Sequence, residues 1–236
     1  MPGTHPTLEG NLPCAFRPFC RYQRPGSQVS FGLGGAAATF APHLVQPAAT
    51  VAHAEIAARA GAALVVGTTG LDADQEKALR AAATTTRSVI AANYSVGVTV
   101  LLELVAQAAR LLDPSYEAEI VELHHHGKKD APSGTALALG RAAAAARKLA
   151  FEKHAVLARE GLVGARTRDE IGIVALRAGD AVGEHTVLFG GMGERIELVH
   201  RAQSRECLAH GALVAAAWVV NRAPGVHSMR DVLGIG

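Results

Sequence analysis

Apolar and polar positions change rhythm several times along the chain. From Pro47 the pattern becomes regular. Ala48 to Ala60 carries Val51, Ala54, Ile56 and Ala58 on loosely shared faces, which predicts a helix. Ala62 to Val66 is a short apolar run closed by Gly67-Thr68-Thr69-Gly70, which predicts a buried strand feeding a turn. Asp72 to Ala83 reads as a polar-faced helix, and Ser88 to Ala92 as a second buried strand ending at Asn93. Val96 to Leu112 is a long apolar-rich helix stopped by Asp113-Pro114. Strand–helix alternation of this kind implies α/β architecture with a parallel sheet.

After Pro114 the texture shifts. Glu117 to Leu123 alternates polar and apolar residues, as a half-buried strand does. A loop from His124 to Gly134 opens an alanine-rich helix, Thr135 to Ala150. Gly172–Leu176, His185–Phe189 and Arg195–His200 read as three more strands, enough with the first for a four-stranded sheet. Glu206 to Val220 is a closing helix. Two domains are expected, with a boundary near residues 94 to 97 and a return near residue 205. The five alanines Ala142 to Ala146 suit a tightly packed or undemanding helix face.

Residues 1 to about 40 keep neither period. They hold five of the ten prolines and two of the three cysteines, Cys14 and Cys20. With Cys207, that set is no disulfide framework, and no CxxC pair suggests zinc. The N-terminus lacks a secretory pattern, and the longest apolar stretches, such as Ala212 to Val220, are too short to span a bilayer. A cytoplasmic protein is expected. The 23 basic and 21 acidic residues nearly cancel, leaving no case for a nucleic-acid or membrane partner.

Near-neutral totals hide one dense cluster. His124, His125, His126, Lys128 and Lys129 fall within six residues, followed by Asp130-Ala-Pro-Ser-Gly-Thr. Cations this close repel unless an anion sits among them. Histidine exchanges protons near neutral pH, and a neighbouring lysine can hold developing negative charge or donate a proton. Ser133 or Thr135 can cap the helix that follows, and Gly134 lets a ligand approach the backbone. Free N–H groups at a helix start bind carboxylate or phosphate. These features point to an anion at a helix N-terminus with a general acid beside it. On an extended backbone His124 and His126 face one way and His125 the other, so a three-histidine metal site is strained and no metal is expected.

The segment His124-His125-x-x-Lys128-x-Asp130-Ala-Pro-Ser-Gly-Thr-Ala136 resembles the signature of the 4-hydroxy-tetrahydrodipicolinate (dihydrodipicolinate) reductase family. Val66–Gly70, Ala91–Gly97, Leu176–Val187 and Met229–Leu233 also resemble family segments, in family order, so the resemblance covers residues from about 40 to 236. It implies NAD(P)H-dependent reduction of a cyclic dicarboxylate in the diaminopimelate route to lysine. His124 matches the general acid and Lys128 the proton-donating lysine. His125, Gly134 and Thr135 match positions that hold the substrate carboxylates. Gly67, Thr68 and Thr69 match one turn lining the cofactor, and Ala91, Ala92, Asn93 and Tyr94 a second. NADH or NADPH is the implied cofactor, a small dicarboxylate the substrate, and a homotetramer the assembly. The implied fold is an incomplete Rossmann-like domain, residues 1–95 completed by 206–236, and an α+β substrate and oligomerisation domain, residues 96–205. Arg177, Asp180, Glu184 and His185 are expected to brace the structure rather than perform chemistry.

The chain departs from the family at its start. Family members open with a strand, a Gly-x-x-Gly-x-x-Gly loop and a helix, placing pyrophosphate on a helix N-terminus. Here the only candidate, Phe31-Gly-Leu-Gly-Gly-Ala-Ala37, has the wrong glycine spacing and no acidic residue at the usual distance after it. Residues 1 to about 40 are expected to be non-homologous, in place of about thirty family residues. They are either out-of-frame translation or a genuine shortened variant with weakened cofactor binding. A second reading is accordingly a non-catalytic family member that oligomerises but binds nucleotide poorly.

Overall fold

The computed structural model describes residues 29–33, 36–40 and 47–235. They fall into two units. The first takes residues up to 89 with 216–226, and the second takes 90–215 with 227–236.

In the first unit β1 (Val29–Leu33) pairs antiparallel with β2 (Ala36–Phe40). This pair is a departure from the sequence reading, which found no strand period there. Helix α1 (Pro47–Arg59), strand β3 (Leu64–Val66), helix α2 (Ala73–Thr84) and strand β4 (Arg87–Ile90) follow the expected order. A helical crossover of this kind is what a parallel strand pair requires. Leu64, Val65 and Val66 are all buried, so both faces of β3 are covered. Asp72 caps α2 with a reciprocal Gln75 contact, a capping box that fixes where the helix starts. A short late strand, β10 (Gly225–His227), completes the sheet order β10-β4-β3 and was not anticipated.

The second unit starts with α3 (Val96–Leu111) and β5 (Glu117–His124). There follow α4 (Gly134–Ala146), α5 (Phe151–His154), β6 (Ala155–Val156) and β7 (Ile171–Arg177). Strands β8 (Gly183–Gly190) and β9 (Arg195–Ala202) complete its sheet. Helix α6 (Glu206–Val219) and helix α7 (Met229–Leu233) close the chain. The sheet order is β6-β7-β5-β8-β9, with β5 parallel to β7 and antiparallel to β8. It is therefore mixed, with five strands rather than the four expected. The fifth is the two-residue edge β6, too short to show any period.

Helices α3 and α4 cover one face of this sheet through Leu101, Val105, Ala109, Leu139, Ala143 and Ala144. Ala118, Ile120, Ile171, Ile173, Val187 and Phe189 meet them from the strands. Ala143 and Ala144 are thus closely packed. Helix α4 stops at Ala146, four residues before the predicted end, because Lys148 turns left-handed at φ 60°. That turn packs Leu149 against the core and buries Phe151. The opposite sheet face leaves Val174, Leu176 and Val199 at 40%, 46% and 40% exposure.

Candidate active site

The alternation that buries Ala118 and Ile120 also buries Glu122 and carries His124 to the same side. Strand register extends this row. His124 pairs with Arg177, Glu122 with His185, and His185 with His200. The inner face is therefore apolar over most of its length and polar at one end.

Glu122 is fully buried and gathers that end. Arg177 donates to it from both terminal nitrogens, at 2.8 and 3.0 Å. The Ser133 backbone N–H reaches it at 3.0 Å, and His124 Nδ1 lies 2.5 Å away. Burial alone would push the Glu122 carboxyl up; the hydrogen bonds from Arg177, His124 and Ser133 outweigh it and hold the group below its ordinary range.

The N-termini of α3 and α4 each meet a sheet histidine. Ser133 caps α4 by accepting from Ala136 N, and its hydroxyl lies 3.1 Å from His185 Nε2. Ser95 caps α3 by accepting from Val98 N, and its hydroxyl lies 3.4 Å from His200 Nε2. Of the two open cap candidates, Ser133 is the cap; Thr135 sits in the first turn and accepts from Asn93 Nδ2 at 3.1 Å. Asn93 also accepts from Ser95 N, which ties the Ala91–Tyr94 loop to both helix starts. Burial, reinforced by the charge of His124, pushes His185 down to about 4, so it is a neutral imidazole at pH 7. Burial also lowers His200.

The extended backbone ends at His124, and a turn follows. The alternation expected for His124, His125 and His126 therefore does not apply. His126 bonds back to the Gly179 carbonyl through both N–H and Nδ1. His125 is half-buried, and burial together with Arg205, His124, His126 and Lys128 lowers it. Lys128 is paired with Asp130 at 2.7 and 2.8 Å. Gly134 is exposed in the first turn of α4, with open space where a Cβ would stand. An open cleft of about 570 Å³ lies beside His200, lined by Arg201, Gln203, Ser204, Glu206, Cys207 and His210. No group of three metal-ligating side chains gathers among the described residues.

The second unit thus brings together His124, His125, Lys128, Gly134, Thr135 and Asn93. In the first unit the Gly67–Thr69 turn follows β3. Thr68 shares a 2.8 Å hydrogen bond with Thr50, and Gly70 takes a left-handed φ of 77° over open space. The turn thus presents hydroxyls and an unobstructed glycine at the end of a buried strand. The described residues offer no matching pyrophosphate cradle. Gly32 pairs with Ala37 and Leu33 with Ala36 in an antiparallel strand pair, unlike a strand that feeds a helix N-terminus.

Sequence reasoning missed Glu122; Ser133 is one of the two caps it offered, and Arg177, expected to brace the structure, holds Glu122. A signal for Glu122 was present: a carboxylate falls in the buried phase of an alternating strand, two residues before a histidine.

A sheet-end cluster that couples a histidine to an exposed helix start can pair proton exchange with anion binding, on an α/β fold that many enzymes of small molecules share. The chain belongs to the dihydrodipicolinate reductase family, whose members are NAD(P)H-dependent oxidoreductases: residues 44–94 match its N-terminal region and 97–233 its C-terminal region. It is 51% identical over 187 residues to 4-hydroxy-tetrahydrodipicolinate reductase of Anaeromyxobacter dehalogenans, covering 79% of this chain and 69% of that one. Its identity to the reductase of Syntrophobacter fumaroxidans is 50% over 188 residues, covering 80% and 70%. Among solved structures it resembles a dipicolinate-bound dihydrodipicolinate reductase from Paenisporosarcina sp. TG-14. There the TM-score is 0.63 at 26% identity, covering 78% of this chain and 69% of that one. No helix among the described residues is long and apolar enough to cross a membrane.

Proposed function

We propose that this chain reduces a cyclic, unsaturated dicarboxylate in the diaminopimelate route to lysine, in the cytoplasm, with His124 as general acid. One observation carries the reading: a single buried carboxylate, Glu122, touches both His124 and the backbone of Ser133, the cap of the exposed helix start. Proton source and anion site are thereby held in one frame. The dinucleotide falls to residues 1–95 completed by 206–236, and the substrate to 96–205.

A bound nicotinamide would supply hydride, and Gly67, Thr68, Thr69, Ala91, Ala92, Asn93 and Tyr94 would line it. The chain's own groups do the rest. His125, Thr135 and the free N–H of Gly134 hold the substrate carboxylates at the start of α4. His124 and Lys128 deliver the proton that the substrate takes as its unsaturated bond accepts two electrons. Lys128 first has to release Asp130. The exposed Val174, Leu176 and Val199 suit burial against other copies, in support of a homotetramer.

The antiparallel pairing of residues 29–33 with 36–40 favours a second reading, a family member that folds and oligomerises but holds nucleotide poorly. Titrating NADH and NADPH into the whole chain separates the two. Micromolar binding with turnover of the dicarboxylate supports the enzyme, and absence of binding supports the alternative. His124→Ala and Lys128→Ala each lower turnover by about 10²-fold or more; near-wild-type rates in both would overturn the assignment of the acid.

A further inference from the structure

We infer that Glu122 is a positioning residue that fixes the tautomer of His124, so that Nε2 is the nitrogen that exchanges the reacting proton. The inference rests on the reading of His124 as the acid.

A carboxylate has two oxygens and about four lone-pair positions. In Glu122 all four are taken. Oε1 accepts from Ser133 N at 3.0 Å and from Arg177 Nη2 at 3.0 Å. Oε2 accepts from Arg177 Nη1 at 2.8 Å and faces His124 Nδ1 at 2.5 Å. The first three partners can only donate, so the carboxylate is an acceptor throughout. At 2.5 Å from such an oxygen, Nδ1 must carry the hydrogen; the opposite tautomer would set two lone pairs against each other. The neutral ring therefore has its free lone pair on Nε2, and the charged ring its transferable proton there.

Two neighbours adjoin the ring. The His185 ring meets His124 edge-on, with centroids 5.3 Å apart. Gly183 supplies the space: a Cβ there would stand 3.0 Å from Nε2. Glu122 itself is fully buried and hydrogen-bonds through its side chain to Arg177, His124 and Ser133, so it meets the reaction only through His124.

The decisive measurement is long-range proton–nitrogen NMR on the histidine-labelled whole chain. It is recorded above the pH at which the imidazole titrates, with His124 assigned by the signals lost in His124→Asn. The expected result is a neutral ring protonated at Nδ1 with Nε2 bare. A ring protonated at Nε2 overturns the inference, and this reading needs neither bound cofactor nor turnover. Glu122→Gln should show a mixture of tautomers, and its kcat should fall about 10²-fold with little change in KM. A folded Glu122→Gln chain that keeps the Nδ1–H tautomer and full kcat also overturns it. Should that variant not fold, the wild-type tautomer alone decides. Failure of the wider reading looks different: His124→Ala would then turn over normally while the tautomer stays as described.

Discussion

Arg177 holds Glu122 with both terminal guanidinium nitrogens, and one of them also donates to the Asp130 carbonyl at 2.7 Å. Strands β5 and β7 and the loop before α4 thus meet at one buried ion pair. A buried pair adds little over an apolar equivalent, but removing one partner strands the other charge. Arg177→Ala is expected to cost about 3 kcal/mol of stability. Denaturant unfolding checks it, and a loss below 1 kcal/mol would show that the carboxylate finds other partners.

Acid should destabilise the fold in two stages. His185 is held neutral down to about 4, whereas the unfolded chain protonates it at its ordinary 6.5. Unfolding therefore takes up a proton between those values. The stability it contributes is complete above pH 6.5 and falls as pH drops toward 4. The gap corresponds to about 3 kcal/mol. Glu122 has the opposite charge type and a lowered value, so its contribution is present above 4.5 and lost as pH falls through its folded value. Thermal melts from pH 7 to pH 4 should show the first loss in the wild type. In His185→Gln it should be reduced, leaving the part that buried His200 contributes.

Substrate binding should take up protons. Burial and the charges of Arg205, His124, His126 and Lys128 lower His125 in the free chain. A dicarboxylate placed among those cations offsets their repulsion and raises His125 again. Binding then strengthens as pH falls through the histidine range. Calorimetry with dipicolinate near pH 7, in two buffers of different ionisation enthalpy, measures the uptake. His125→Gln should remove most of it.

Gly211 of α6 has no room for a side chain, since a Cβ there would lie 1.7 Å from the Tyr94 carbonyl oxygen. A backbone oxygen cannot rotate away as a flexible side chain does. Gly211→Ala must displace the helix or the Ala91–Tyr94 loop, at about 2 kcal/mol. The shift should also break the Asn93–Thr135 hydrogen bond. Unfolding midpoints test the first effect, and weaker dicarboxylate binding the second.

Much of the second unit was legible because its residues obey one period at a time. Glu117 to Leu123 alternates and is a strand; Val96 to Leu111 repeats every three to four residues and is a helix. The cation-rich loop and the helix start after it were legible as well, because capping residues and charge density act locally. Strands β6 and β10 were not, since two or three residues carry no period. The end of α4 was missed because Leu149 and Phe151 pack on a distant core, which rewards leaving the helix early.

The sequence by itself determined the family resemblance, most of the order of helices and strands, and where the cation-rich loop and the capped helix start after it fall. The first shows in whole motifs, and the other two in local spacing. The partners of that loop are another matter. Arg177 and His185 lie 55 and 52 residues from Glu122 and Ser133 along the chain. Only strand pairing brings them to one sheet end, and only burial turns a glutamate into a shared anchor and a histidine into a neutral base. Those properties depend on which groups lose water together, and that is decided when the strands pair and the helices cover them.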